Sequence, residues 1–67
     1  MSVAKVSEIS ASSTKSFEDA IHMGIARACK TLDNVTSAWI QDQDVNIENG
    51  KLTEYKVRMK ITFVLKD

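Results

Sequence analysis

The chain has 67 residues with nine basic and nine acidic side chains, and a formal net charge of zero leaves no overall field to attract nucleic acid or an anionic membrane. A single domain of this size buries only ~60% of the surface that its unfolded chain exposes, so a solitary core is marginal. One cysteine (Cys29) excludes an internal disulfide, and one histidine (His22) beside it argues against a zinc cage, which leaves self-association as the stabilising device. No apolar run approaches the ~20 residues of a membrane span. The opening Met1-Ser2-Val3-Ala4-Lys5-Val6 lacks the apolar stretch of a secretory signal. With the lone thiol, this makes the cytoplasm the expected compartment of a single domain over 1–67.

Val3 to Ser10 alternates loosely and is partly β-branched, which predicts a short strand able to lie at a sheet edge. The polar run Ser10-Ala11-Ser12-Ser13-Thr14-Lys15 reads as the loop after it. Ser16-Phe17-Glu18-Asp19 then resembles a capping box, with the Ser16 hydroxyl placed to accept the Asp19 N–H. Phe17, Ala20, Ile21, Gly24, Ile25, Ala28 and Leu32 follow at the helical period and predict a helix over 17–32. Lys30 suits its last turn, and Asp33-Asn34 is able to close it. Gly24 is expected to let the helix lie close to the sheet.

Beyond Asn34 the period drops to two. Val35 to Ile47 and Leu52 to Leu65 flank Asn49-Gly50, a type I′ turn signal because both turn positions need positive φ. An uninterrupted hairpin built on that turn places Ile40 opposite Met59, Ala38 opposite Ile61 and Asp42 opposite Val57. On its other side Trp39 faces Lys60, Gln41 faces Arg58 and Gln43 faces Lys56. Tyr55, Val57, Met59, Ile61, Phe63 and Leu65 then form one apolar face for the helix to cover. The far face holds Glu54, Lys56, Arg58 and Lys60, together with Trp39, Val45 and Ile47. The expected fold is therefore α+β, a βαββ chain whose three-stranded sheet is covered on one face by the helix. Large apolar groups on an otherwise polar face mark a contact or ligand surface.

Signals for catalysis are weak. His22 and Cys29 lie ~10 Å apart along the helix axis, too far for a nucleophile–base hydrogen bond. His22 reads as a solvated or interface residue and Cys29 as a small buried hydrophobe. Alternating Asp42 and Asp44 lack the glycine and distant glutamate of a calcium loop, so polar surface groups are the preferred reading. Trp39 offers a rigid π face, either to a symmetry mate or to a planar ligand.

The segments Val3-Ala4-Lys5-Val6, Ser12-Ser13-Thr14-Lys15-Ser16-Phe17-Glu18-Asp19-Ala20, Ile25-Ala26-Arg27-Ala28 and Lys30-Thr31-Leu32-Asp33-Asn34 resemble the dodecin family. Asp42-Gln43, the hairpin Ile47-Glu48-Asn49-Gly50-Lys51, the Tyr55 strand and the ending Thr62-Phe63-Val64-Leu65 extend the resemblance over essentially the whole chain. It implies a three-stranded antiparallel sheet partly wrapping the helix, and a homododecameric shell that binds and stores flavin (riboflavin, FMN or FAD) as stacked pairs near its two-fold axes, without conventional catalysis. The family's stacking tryptophan is matched here by Ser37, and its glutamine partner by Lys56, so both identities differ. The acidic residue preceding the family's glutamine is kept as Asp42. Under strict alternation Asp42 faces the helix, and only a bulge or a neighbouring subunit brings it to a ligand on the far face.

Trp39 lies two residues beyond Ser37 on the same face, ~7 Å along the strand. It is the expected stacking platform, with Ser37, Gln41, Asp42, Gln43, Lys56 and Arg58 as the candidate site around it. Lys56 and Arg58 favour anionic ligands. The alternative is a flavin-free cage of the same type, holding ions or an anionic nucleotide such as CoA in its channels.

Overall fold

The computed structural model of the chain describes residues 2–66. Its elements are β1 (Val3–Ser13), α1 (Phe17–Thr31), β2 (Val35–Glu48) and β3 (Lys51–Leu65). This is the expected βαββ order with one antiparallel sheet. The spatial order is β1-β3-β2, so the last strand is central and both others are edges. The chain is drawn out along β2 and β3, with extents of 52 × 19 × 13 Å.

Strand β1 runs three residues past its expected end at Ser10. Ser10, Ala11, Ser12 and Ser13 pair with Arg58, Val57, Lys56 and Tyr55 of β3, so ladder hydrogen bonds override the turn preference of the serines. Ser13 is buried, and its hydroxyl is satisfied at the corner into the helix. It donates to Asp19 Oδ2 at 2.6 Å and accepts the Lys15 N–H at 2.9 Å.

The helix starts as its cap predicts, with Ser16 Oγ accepting the Asp19 N–H at 2.9 Å. It ends one residue early. Leu32 is the C-cap in extended backbone, and Asn34 turns the chain into β2 at φ 61°. The face that α1 buries is narrow and made of small residues, Ala20, Gly24 and Ala28. They let the helix settle onto Val57, Met59 and Ile61 of β3, all with 0% exposure. Contact is closest at Gly24, where an added Cβ would lie 2.8 Å from Met59 Cε and 3.1 Å from Ala11 Cβ. Phe17 meets Tyr55 edge-on at 5.1 Å and closes one end of this core.

Asn49 and Gly50 take φ values of 52° and 74°, as the type I′ turn requires. The uninterrupted register built on that turn is overturned in the middle of the hairpin. Ile40 pairs with Met59 as expected, but the next pair is Asp42 with Arg58, so Gln41 is an extra residue. Asp44 then pairs with Lys56, Gln43 with Val57 and Val45 with Tyr55. A compensating irregularity skips Thr53 in β3, and Ile47–Leu52 and Glu48–Lys51 regain the register set by the turn.

The bulge exchanges the faces of the β2 side chains from Asp42 to Asn46, while their β3 partners keep theirs. Strict alternation would place the Asp42 carboxylate opposite Val57 on the helix side, away from Arg58, a position that exposed Gln43 takes instead. One extra residue sends Asp42 and Asp44 to the polar side and brings Val45 to Tyr55 beside the helix. Val45 and Ile47 therefore do not join Trp39 on the far face. Ile47 follows Val45 on the helix side, past the end of α1, and stays 64% exposed.

Candidate functional site

No element among the described residues covers the face of the sheet opposite α1. Pairing across three strands sets its side chains in rows: Glu8–Lys60–Trp39, Ser10–Arg58–Asp42 and Ser12–Lys56–Asp44, with Val6–Thr62–Ser37 beyond the tryptophan. Trp39 stands on this face 62% exposed. The Lys60 ammonium lies over its ring, 5.4 Å from the centroid, a cation–π contact between cross-strand neighbours.

Arg58 is held on both sides. Its Nε donates to Asp42 Oδ1 at 2.6 Å and its Nη2 to Asp44 Oδ1 at 3.0 Å. The hydrogen bond to Asp42, and then that carboxylate's charge, raise the guanidinium above its ordinary pKa, with Asp44 adding to the effect. Arg58 is thus a permanently charged strut, and the bulge at Gln41 is what lets two carboxylates reach it. Lys56, in the next row, forms no ion pair among the described residues. Farther along, the Asn46 amide donates to Glu54 Oε1 at 2.9 Å.

Of the residues expected around Trp39, the fold gathers Ser37, Asp42, Lys56 and Arg58 on one face. Gln41 sits at the bulge itself and is exposed. Gln43 leaves the group, because it pairs with Val57 on the helix side. Two charged neighbours went unassigned from sequence, Glu8 and Lys60. The hairpin already places Lys60 opposite Trp39, whereas Glu8 becomes visible only through the pairing of β1 with β3.

Nothing on the helix assembles a reaction centre. His22 is solvated, 3.7 Å from Glu18. Cys29 is exposed rather than buried, because one step beyond Ala28 already leaves the narrow stripe that meets the sheet. Among the described residues, no three His, Cys, Asp or Glu side chains gather in a metal-binding group. No helix there is long and apolar enough to cross a membrane. A groove between α1 and β1, lined by residues such as Ile9, Met23 and Leu32, contains none of the candidate residues.

The dodecin family model matches residues 3–66. Among solved structures, dodecin from Streptomyces davaonensis is 27% identical with a TM-score of 0.93, over 98% of this chain and 97% of the other. An arginine-to-alanine variant of Thermus thermophilus dodecin is 28% identical with a TM-score of 0.94, over 100% of both chains. A calcium dodecin from Mycobacterium tuberculosis, described as having a novel calcium-binding site, is 28% identical with a TM-score of 0.83, over 96% and 91% of the two chains. Curated proteins give no match.

Proposed function

The chain belongs to the dodecin family, and from that premise we propose that it assembles with copies of itself into a dodecamer and stores a flavin stacked on Trp39. The carrying observation is a tryptophan 62% exposed on the sheet face that no described element covers. An indole so placed lowers its free energy by burial against a flat partner. A two-fold axis near it would pair two such platforms. Riboflavin, FMN and FAD all carry the electron-poor ring that complements an electron-rich indole. Stacking of that kind quenches the excited flavin and shields its surroundings from photochemistry. Lys56 offers a free cation to a phosphorylated flavin, while Ser37 and Gln41 offer neutral polar contacts. The role is sequestration rather than catalysis, and an unpaired, exposed Cys29 suits a reducing cytoplasm.

Titration of riboflavin and FMN into the apo-protein, read by flavin fluorescence and repeated with Trp39→Ala, tests this reading. Quenching that saturates with wild type and vanishes in the variant is the expected result. Unquenched flavin at micromolar protein, with the assembly intact by light scattering, overturns it.

The second reading is a cage of the same architecture that holds ions or an anionic nucleotide such as CoA. It is favoured by Ser37 and Lys56 standing where the family resemblance calls for tryptophan and glutamine. The likeness to a calcium dodecin also favours it, although Asp42 and Asp44 are both occupied by Arg58. Calcium or CoA binding by calorimetry, without flavin quenching, would select this alternative.

A further inference from the structure

One face of the indole on which the flavin reading relies is occupied in this structure by a side chain of the protein itself. Lys60 Nζ stands 5.4 Å from the Trp39 centroid. A planar ligand cannot stack on that side of the ring while the ammonium remains there. The neighbour of Lys60 on its other side is Glu8, directly opposite in β1. Glu8 is exposed and forms no ion pair among the described residues. The lysine therefore stands between two seats in one row, an indole on β2 and a carboxylate on β1.

Cross-strand neighbours of this kind have Cβ atoms ~5 Å apart, so rotation of the Lys60 side chain alone moves its charge from one seat to the other without backbone displacement. The remaining cations nearby do not compete for these seats. Arg58 is tied to Asp42 and Asp44, and Lys56 lies two rows away.

We propose that Lys60 is a displaceable cover on Trp39, and that Glu8 receives its ammonium when a planar ligand takes the ring. Lys60 thereby sets the affinity and selectivity of the platform. A neutral ring must displace a cation to bind, whereas a ligand carrying a phosphate recovers that charge as a contact. The inference rests on the stacking reading above for its ligand, but not for its first test, which needs no ligand.

That test uses the single tryptophan of the chain as its own probe. Acrylamide, a neutral quencher, is expected to reach Trp39 more readily in Lys60→Ala than in wild type, and less readily in Glu8→Gln, where the lysine has lost its second seat. Equal accessibility in all three proteins overturns the cover, whether or not flavin binds. Riboflavin titration then reads the competition. Lys60→Ala is expected to bind about two- to fivefold tighter, the size of an exposed cation–π contact. Lys60→Arg keeps the charge and a long stem, and is expected to bind no tighter than wild type. Riboflavin binding that depends on Trp39 but is equal or weaker in Lys60→Ala removes Lys60 from this role and leaves the stacking reading standing. Absence of riboflavin binding in every variant removes the stacking reading, and the acrylamide series alone then decides the cover.

Discussion

The two faces of the sheet are built from alternate residues of the same three strands, yet they obey different physics. Toward the helix, Val57, Met59 and Ile61 are shut off from solvent under Ala20, Gly24 and Ala28. On the other side Lys56, Arg58 and Lys60 carry charge, and the largest apolar group, Trp39, is left in water. The first face is closed within one chain where the helix covers it, while Ile47 and Leu52 lie beyond that cover and stay exposed. On the second, Arg58, Asp42 and Asp44 satisfy one another, but an aromatic surface has no cover among the described residues. Burial makes the fold, and incomplete burial marks where a ligand or a second copy has work to do.

If that contrast is correct, substitutions on the two faces must differ in kind. Met59→Ala should have the largest effect, about 2–5 kcal/mol of stability, because it opens a cavity in a core too small to collapse around it. Urea unfolding followed by circular dichroism measures this, and a loss below about 1 kcal/mol would mean that α1 repacks onto the sheet. Gly24→Val should come next, at about 1–3 kcal/mol, since even a single Cβ would come within 2.8 Å of Met59 Cε.

Trp39→Ala sharpens the comparison from the other side. It should abolish flavin quenching while changing chain stability by less than about 0.5 kcal/mol, as expected of an exposed position. A drop as large as that of Met59→Ala would instead show Trp39 packing in a subunit interface, and the faces would then not differ in kind. The smallest effect belongs to Asp44→Asn, which removes one partner of a partly exposed arginine. Its shift in unfolding midpoint should disappear in ~1 M salt, where the Debye length is ~3 Å. A shift that persists at high salt would mean that the carboxylate holds the bulge by hydrogen-bond geometry rather than by charge.

Much of the placement of the candidate site is legible in the sequence, and the misses share one origin. Trp39 opposite Lys60 follows from counting back from Asn49-Gly50, and the structure keeps that pair. The same counting fails for Gln43, because it assumes that alternation continues through Gln41. The pairing of Asp42 and Asp44 with Arg58 is a contact between strands and leaves no mark on the local period. Cys29 misleads for a similar reason. Its helix turns a narrow stripe to the sheet, and the width of that stripe depends on what it packs against.

By itself, the sequence determined the features that neighbouring residues decide among themselves. These are the Ser16 cap, the helical stripe through Gly24, the left-handed turn at Asn49-Gly50 and the alternation that makes β3 amphipathic. Each depends on backbone preferences and hydrogen bonds spanning a few residues. Only the tertiary structure decided that β3 is central, that β1 continues to Ser13 and that Gln41 is an extra residue. It alone set Glu8 in the row of Lys60 and Trp39. Those outcomes rest on pairing between distant segments and on which groups lose their water, and such energies exist only once the strands are side by side.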